Sequence, residues 1–419
     1  MKCDTAFKRA IVLLKPKGPL GGAPKRFINF LYYLPVDKRD LYYFFINKDL
    51  YDDLYDLYNE KLKNLNVVII DNYDRYYIKD INTKNGSINN KKNTGKSESS
   101  TLLNLYRFIK HYYFQYKIYS QIDHYRKKFD IKVFLGVFSG IIPLYFYLQK
   151  SEYKGKVIVG FSNMDSWFAN VYNKEDYRWY NKYISFNYGL TKSNFLDFLS
   201  PYIYSGVRKK GLIIDSNKIS VSVNSFTDYT KCKVSDKSVF KVAFSSRLET
   251  KKNPILFLEA VNEIAKKYTD IYFYLLGNGS LETEVKEYIK NNIPENRISF
   301  MFHAEPSEIL STTSVFVSLQ ETNNYPSQSI LEAMGCENAI IATNVGDTGL
   351  FFKENIGIMI NADKDELINA IEYMYMNQNI TRGQGINARI YATTYHTVEK
   401  SVQYYENLFE KEYNKVFGH

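Results

Sequence analysis

Arg247 and Lys252 stand five residues apart in the run Ser-Arg-Leu-Glu-Thr-Lys-Lys-Asn-Pro that fills residues 246–254. A forked guanidinium and a point-charge ammonium at that spacing can clamp a phosphate; two solvated loop charges are the plainer reading. Residues 276–279, Leu-Gly-Asn-Gly, make a tight turn of Gly277, Asn278 and Gly279, and glycine lets backbone approach a ligand closely. Residues 324–335 read Asn-Tyr-Pro-Ser-Gln-Ser-Ile-Leu-Glu-Ala-Met-Gly and open a helix at Pro326 and Ser327. Proline suits a first helical turn, and the N–H groups there favour anions. Glu332 falls about a turn inside, placed either to accept from a sugar hydroxyl or to face water. Residues 344–349, Asn-Val-Gly-Asp-Thr-Gly, add a fourth glycine-rich turn. Each stretch alone has a bland explanation. Four in succession, all suited to phosphate, point to a bound anion.

The elements that must hold these residues are strands followed by helices. Residues 241–245, 271–276, 314–319 and 340–343 read as short apolar strands. Residues 254–267 place Ile255, Leu258, Val261, Ile264 and Ala265 at helical spacing, and residues 281–290 and 330–334 also read as helical. The candidates therefore lie on strand-to-helix loops, where open α/β sheets bind ligands. The first half reads α/β as well. Strands are expected at 9–14, 41–45, 67–70, 133–138, 157–161 and 182–186, with a helix at 25–34. Residues 15–24 form a Gly/Pro loop holding Gly18, Gly21 and Gly22. Residues 82–100 are polar and read as a mobile loop. Residues 203–238, with a short strand at 218–223, read as the connection between halves, and residues 397–416 as a last helix.

Composition sets the bounds. A chain of 419 residues fits two domains. Its three cysteines, Cys3, Cys232 and Cys336, show neither a disulfide framework nor metal-ligand spacing, which fits a reducing cytoplasm. No secretory signal is read at the start. The apolar run at 133–148 is short of the ~20 residues a membrane span needs and reads as a strand feeding a helix. The first 230 residues carry 36 Lys and Arg against 21 Asp and Glu, the remainder 19 against 24. Such a basic half attracts anionic glycans, membranes or nucleic acid, or simply solubilises the chain. Residues 102–129 form a helical block in which Tyr106, Phe108, Tyr112, Tyr113, Phe114, Tyr116, Tyr119 and Tyr125 interleave with Lys110, Lys117, Arg126, Lys127 and Lys128. It either lies on a membrane surface or packs its aromatics on a sheet, and different faces can do both.

Residues 239–360 resemble the donor-binding half of the family 4 retaining glycosyltransferases, and the likeness extends more weakly over the whole chain. The resemblance implies the GT-B fold, an α/β architecture of two Rossmann-like domains facing across a cleft. The acceptor-binding domain would span 1–205 together with a C-terminal helix, 397–419, crossing back to it. The nucleotide-sugar-binding domain would span 206–396. The resemblance assigns Arg247 and Lys252 to the donor diphosphate, Gly277, Asn278 and Gly279 to the family's glycine turn, and Glu332 to the donor ribose. Asn324 takes the first place of a Glu-x7-Glu pair, so an amide replaces a charge there; Glu321 lies three residues earlier. Tyr325, Pro326, Ser327 and Gln328 match the loop whose N–H groups face the sugar and distal phosphate, and Gly21 and Gly22 fit the glycine-rich first loop. The family's first-domain histidine has no counterpart among His111, His124, His303, His396 and His419. Ser139, Asn163 and Asp165 follow strands there. Asp165 is the charged candidate for a catalytic role, with a helix N-cap as its other reading.

These readings predict a retaining, metal-independent glycosyltransferase of bacterial type that uses no cofactor and takes a nucleotide sugar as substrate. Its acceptor would be a surface glycan or a lipid-linked molecule. It would work in the cytoplasm, or peripherally at the inner face of the plasma membrane. A catalytically weak glycosyltransferase-like binding or partner protein is the alternative. A nucleic-acid-binding protein is a third, resting only on the basic first half, with no recognition motif to support it.

Overall fold

The computed structural model describes residues 6–15, 22–73, 101–163, 191–209, 214–222, 225–302 and 305–418. The expected strand at 182–186, the polar loop at 82–100, Gly18, Gly21, Asp165 and His303 lie outside them. The chain divides into two compact units, Met1–Ser222 with Val402–His419, and Val223–Ser401.

The first unit is built on seven parallel strands: β1 Lys8–Leu14, β2 Tyr42–Asn47, β3 Asn66–Ile70, β4 Ile131–Phe138, β5 Ile158–Asn163, β6 Phe195–Phe198 and β7 Ile219–Val221. Their order is β3-β2-β1-β4-β5-β6-β7. Successive residues of β1 point to opposite faces. Ala10, Val12 and Leu14 enter one apolar cluster, and Ile11 and Leu13 enter another. A sheet covered on both faces explains why β1 and β4 read as unbroken apolar runs. The run at 133–148 is indeed strand and helix, β4 followed by Ile141–Gln149. No described helix is long and apolar enough to cross a membrane.

This unit runs on to Ser222 rather than ending at 205. The helix Pro201–Lys209 buries Ile203 and Val207, and β7 pairs with β6, so residues expected in a connection are part of the core. The last helix, Val398–Phe417, adds Tyr405, Leu408 and Phe409 to the cluster that holds Phe27, Phe30 and Tyr42. Two buried carboxylates anchor it. Asp197 on β6 accepts from Ser162 Oγ at 2.8 Å, Tyr404 OH at 2.6 Å and Tyr405 OH at 3.0 Å. Glu406 accepts from Lys38 Nζ at 2.6 Å and from Tyr42 OH. Buried carboxylates persist only when paired in this way.

The aromatic helix, Thr101–Phe129, divides its faces. Ile118, Tyr119 and Ile122 are buried in the core. Tyr106, Ile109, Tyr112, Tyr113 and Tyr116 are exposed and fall on one stripe at helical spacing. Arg126 and Lys127 pair with the buried Asp123 at 2.7 and 3.0 Å; Arg126 is thereby held in a largely buried ion pair, while Lys127 stays exposed.

The second unit has six parallel strands: β8 Lys241–Ser245, β9 Tyr272–Leu276, β10 Ile298–Met301, β11 Val315–Ser318, β12 Ala339–Thr343 and β13 Gly357–Ile360. Their order is β10-β9-β8-β11-β12-β13. One face buries Val242, Phe244, Val315 and Val317 under the helices Pro254–Lys267 and Lys364–Met376. The other buries Ala243, Phe316, Ile340 and Ala342 with the helix Gln328–Gly335. Strand order reverses between β8 and β11, and that switch point is where a doubly wound sheet opens a crevice at its carboxyl edge.

Candidate functional site

The loops after β8 and β11 flank this switch point, and they carry Arg247, Lys252 and residues 319–327. Backbone ties them together: Glu321 N donates to Lys251 O at 3.1 Å. Arg247 is exposed, its guanidinium 2.9 Å from Glu249. Lys252 is half-buried, and its ammonium donates to the Gln320 amide oxygen. Burial, then the nearby charges of Arg247 and Lys251, lower its pKa to about 8, with Glu249 acting against them. The chain thus holds a cation where neighbouring cations disfavour it, an arrangement that an arriving anion relieves.

The Gly277–Asn278–Gly279 turn has a role that spacing alone does not show. Ser246 N donates to Leu276 O, Leu248 N to Asn278 O and Leu281 N to Leu248 O, at 3.0, 2.8 and 3.0 Å. A Cβ on Gly277 would sit 1.9 Å from Ser246 O, and one on Gly279 2.5 Å from Leu248 O. Both residues have positive φ, +152° and +156°. The glycines therefore let the turn clasp the backbone that carries Arg247.

The helix Gln328–Gly335 begins after Pro326 and Ser327, both expected in its first turn. Ser327 is its N-cap, and the Ser327 hydroxyl accepts from Ile330 N at 3.5 Å. A serine oxygen satisfies an amide that proline cannot. Pro326 precedes the cap, joined to Tyr325 by a cis peptide bond. Tyr325 is buried against Phe351, ring centroids 4.6 Å apart, so its side chain belongs to the core beneath the loop. Asn324 is exposed and donates to Ser327 Oγ at 3.2 Å. Glu332 is half-buried one turn along and accepts from Gln328 Nε2 at 3.2 Å. Gln328 in turn accepts from Thr227 Oγ1 at 3.4 Å. The loop after β12 is tied in through Asn323, whose side-chain oxygen accepts from Asp347 N at 2.9 Å.

Lys237 and Arg389 have no motif to mark them. Lys237 Nζ donates to Cys336 O and Glu337 O at 2.7 and 2.8 Å, and Arg389 donates to Gly335 O. Two cations thus cap the carbonyl end of the Glu332 helix, where the helix dipole favours them. In the first unit, Gly22 opens the helix Gly22–Tyr32, Ser139 is buried after β4, and Asn163 is the last residue of β5. Gly21 and Asp165 are outside the described residues. Among the described residues no cluster of three or more His, Cys, Asp or Glu is suited to a metal ion. The Asp-x-Asp pair Asp363 and Asp365 is a helix start, with Asp363 accepting from Glu366 N at 2.9 Å.

Residues 226–390 match the family model described as Glycosyl transferases group 1. The structure matches the crystal structure of Anabaena HepE in complex with UDP with a TM-score of 0.70 at 14% identity, over 97% of this chain and 100% of that one. The chain has the GT-B fold. The matched segment falls in its second unit and includes the β8 and β11 loops. Over 137 residues this GT-B chain is also 23% identical to one subunit of the phosphatidylinositol N-acetylglucosaminyltransferase of Arabidopsis thaliana, covering 32% of this chain and 30% of that protein. It is 24% identical over 212 residues to the UDP-N-acetylglucosamine–peptide N-acetylglucosaminyltransferase GtfA subunit of Streptococcus pneumoniae, covering 48% and 41%. The matches span less than half the length of either of these two relatives.

Proposed function

We propose that this chain is a retaining glycosyltransferase that takes a UDP-sugar as donor and needs no cofactor. The observation that carries the reading is the meeting of Lys252, the Arg247 loop and the residues leading into the Gln328–Gly335 helix at the switch point of the second sheet. Arg247 and Lys252 hold the diphosphate, Glu332 the ribose, and residues 324–328 the sugar and distal phosphate. UDP is favoured as the nucleotide because HepE was crystallised with UDP and with UDP-glucose and because GtfA is named for a UDP-N-acetylglucosamine reaction.

The bond from the sugar's anomeric carbon to the diphosphate breaks, and the acceptor hydroxyl oxygen bonds to that carbon on the same face. Its proton passes to the departing phosphate oxygen. The cations of the chain neutralise the leaving group, and such preorganised charge is often the largest catalytic contribution. Positioning does most of the rest. Incubation with UDP-, GDP- and ADP-sugars, following hydrolysis or transfer, tests the reading; turnover from UDP-N-acetylglucosamine or UDP-glucose is expected, and inertness toward all donors contradicts it. Binding without turnover is the outcome that favours the alternative of a binding or partner protein, which the neutral Asn324 motivates.

Glu332→Gln is expected to weaken UDP about tenfold while leaving the affinity for inorganic pyrophosphate unchanged, as a carboxylate-to-ribose bond requires. Equal affinity of variant and wild type for UDP in calorimetry returns Glu332 to a surface role. The acceptor is a glycan or a lipid-linked molecule, and the exposed stripe of the Thr101–Phe129 helix favours work at an anionic membrane surface. There Tyr106, Tyr112, Tyr113 and Tyr116 stand beside Lys110 and Lys117, with Lys117 4.8 Å from the Tyr113 ring centroid. Tyrosines suit the interface, and each basic residue near anionic lipid contributes about 1 kcal/mol. Replacing Lys110 and Lys117 by Gln is expected to reduce sedimentation with phosphatidylserine vesicles about tenfold or more. A wild-type protein that stays in the supernatant contradicts this placement.

A further inference from the structure

Gln320 is buried on the loop after β11, and three bonds fix it from three strands' ends. Its backbone oxygen accepts from Thr343 Oγ1, at the end of β12, at 2.6 Å. Its amide nitrogen donates to Ser318 Oγ, at the end of β11, at 3.4 Å. Its amide oxygen accepts from the Lys252 ammonium, on the loop after β8. With the nitrogen committed to Ser318, the oxygen is turned toward Lys252, and the contact has a donor and an acceptor in their proper places.

Resting on the donor-site reading above, we propose that Gln320 is the positioning residue for Lys252, holding its ammonium charged and aimed so that the donor diphosphate meets an oriented cation. Without an acceptor, a lysine stem carries several rotamers and its order must be established at binding. The electrostatic setting makes the role readable. Arg247 and Lys251 disfavour the Lys252 charge, Glu249 favours it, and its pKa is lowered to about 8. The exposed Glu321 follows Gln320 on the same loop. A bound diphosphate raises that pKa, so UDP binding takes up a proton at Lys252 and affinity falls as pH rises through about 8. Gln320→Met keeps the size of the side chain and removes the acceptor. The ammonium is then less favoured, and the decline starts at lower pH. Gln320→Glu keeps the acceptor and adds a charge, and the decline moves to higher pH.

The experiment is calorimetric titration of UDP from pH 6.5 to 9 into the wild type, Gln320→Met, Gln320→Glu, Lys252→Met and the double Gln320→Met, Lys252→Met variant. Gln320→Met is expected to weaken UDP about fivefold at neutral pH. The two Gln320 variants are expected to displace the pH profile in opposite directions, and Gln320→Met is expected to add nothing once Lys252 is gone. A merely structural role leaves the Gln320→Met profile where the wild type has it; the carboxylate of Gln320→Glu raises the Lys252 pKa in either case. If Gln320→Met does not fold, Gln320→Leu, which also lacks an acceptor, is titrated in its place. Wild-type affinity and pH profile in Gln320→Met overturn the proposal, as does a loss that persists in the Lys252→Met background. In those cases UDP binding and its loss in Lys252→Met leave the donor-site reading standing. A wild type that binds no UDP removes the donor-site reading and this proposal with it.

Discussion

Arg247→Ala and Lys252→Ala are each expected to lower sugar transfer tenfold or more, about 1.4 kcal/mol or above in the barrier. In the proposed reaction both remove a full charge from the place where the leaving diphosphate gathers negative charge. The two substitutions differ in what they do to the fold. Arg247 is exposed and pairs with Glu249, and surface pairs of this kind contribute at most about 1 kcal/mol. Lys252 has its pKa lowered by burial and by neighbouring cations, so the folded state holds its proton less tightly than the unfolded chain does. That linkage works against stability at every pH below about 8 and is relieved as pH rises above it. Replacing Lys252 with the uncharged Met is therefore expected to abolish transfer while the protein melts no earlier than the wild type at neutral pH. Thermal melts beside rate measurements check the pair. Full transfer in either alanine variant removes that residue from the site.

Gly277→Ala is expected to destabilise the second unit by ~3 kcal/mol and to lose UDP binding with it. The added methyl would meet Ser246 O at 1.9 Å, at a φ of +152°, so the turn must withdraw from the Arg247 loop it clasps. Gly383→Ala is the matched control. Gly383 lies in the helix Gln378–Tyr395 with nothing within 4 Å of a Cβ, and alanine there is expected to stabilise by about 1 kcal/mol. Urea unfolding of both variants reads the contrast. Equal stability of Gly277→Ala and the wild type contradicts the clasp.

Much of the second unit is legible in the sequence because strand, loop and helix follow one another at short range. The apolar run at 241–245 is β8, and residues 254–267 are the helix Pro254–Lys267. Those signals are local: two-residue alternation, helical spacing, a proline at the helix start. What escapes the sequence depends on contacts between distant segments. The resemblance gives Gly277 and Gly279 a turn beside a ligand, but only the fold shows that their missing side chains admit Ser246 and Leu248. Pro326 and Ser327 both suit a helix start, and the hydrogen bond to Ile330 N settles which one caps. Gln320, Lys237 and Arg389 carry no sequence signature, since each is defined by what it touches across strands or at a helix end. In the first unit, the short strand at 218–223 is legible and is β7, but its place at the edge of the first sheet, beside β6, depends on a pairing across about twenty residues of chain. Asp197 gives no signal; its partners Tyr404 and Tyr405 lie more than two hundred residues away.

The most direct measurement is a calorimetric titration of UDP into the wild-type protein and into Arg247→Ala and Lys252→Ala at neutral pH. The account predicts one saturable site in the wild type and affinity reduced tenfold or more in each variant, with all three proteins folded. Absence of UDP binding by the wild type, or binding that neither substitution changes, contradicts the assignment of the β8 and β11 loops as the donor site.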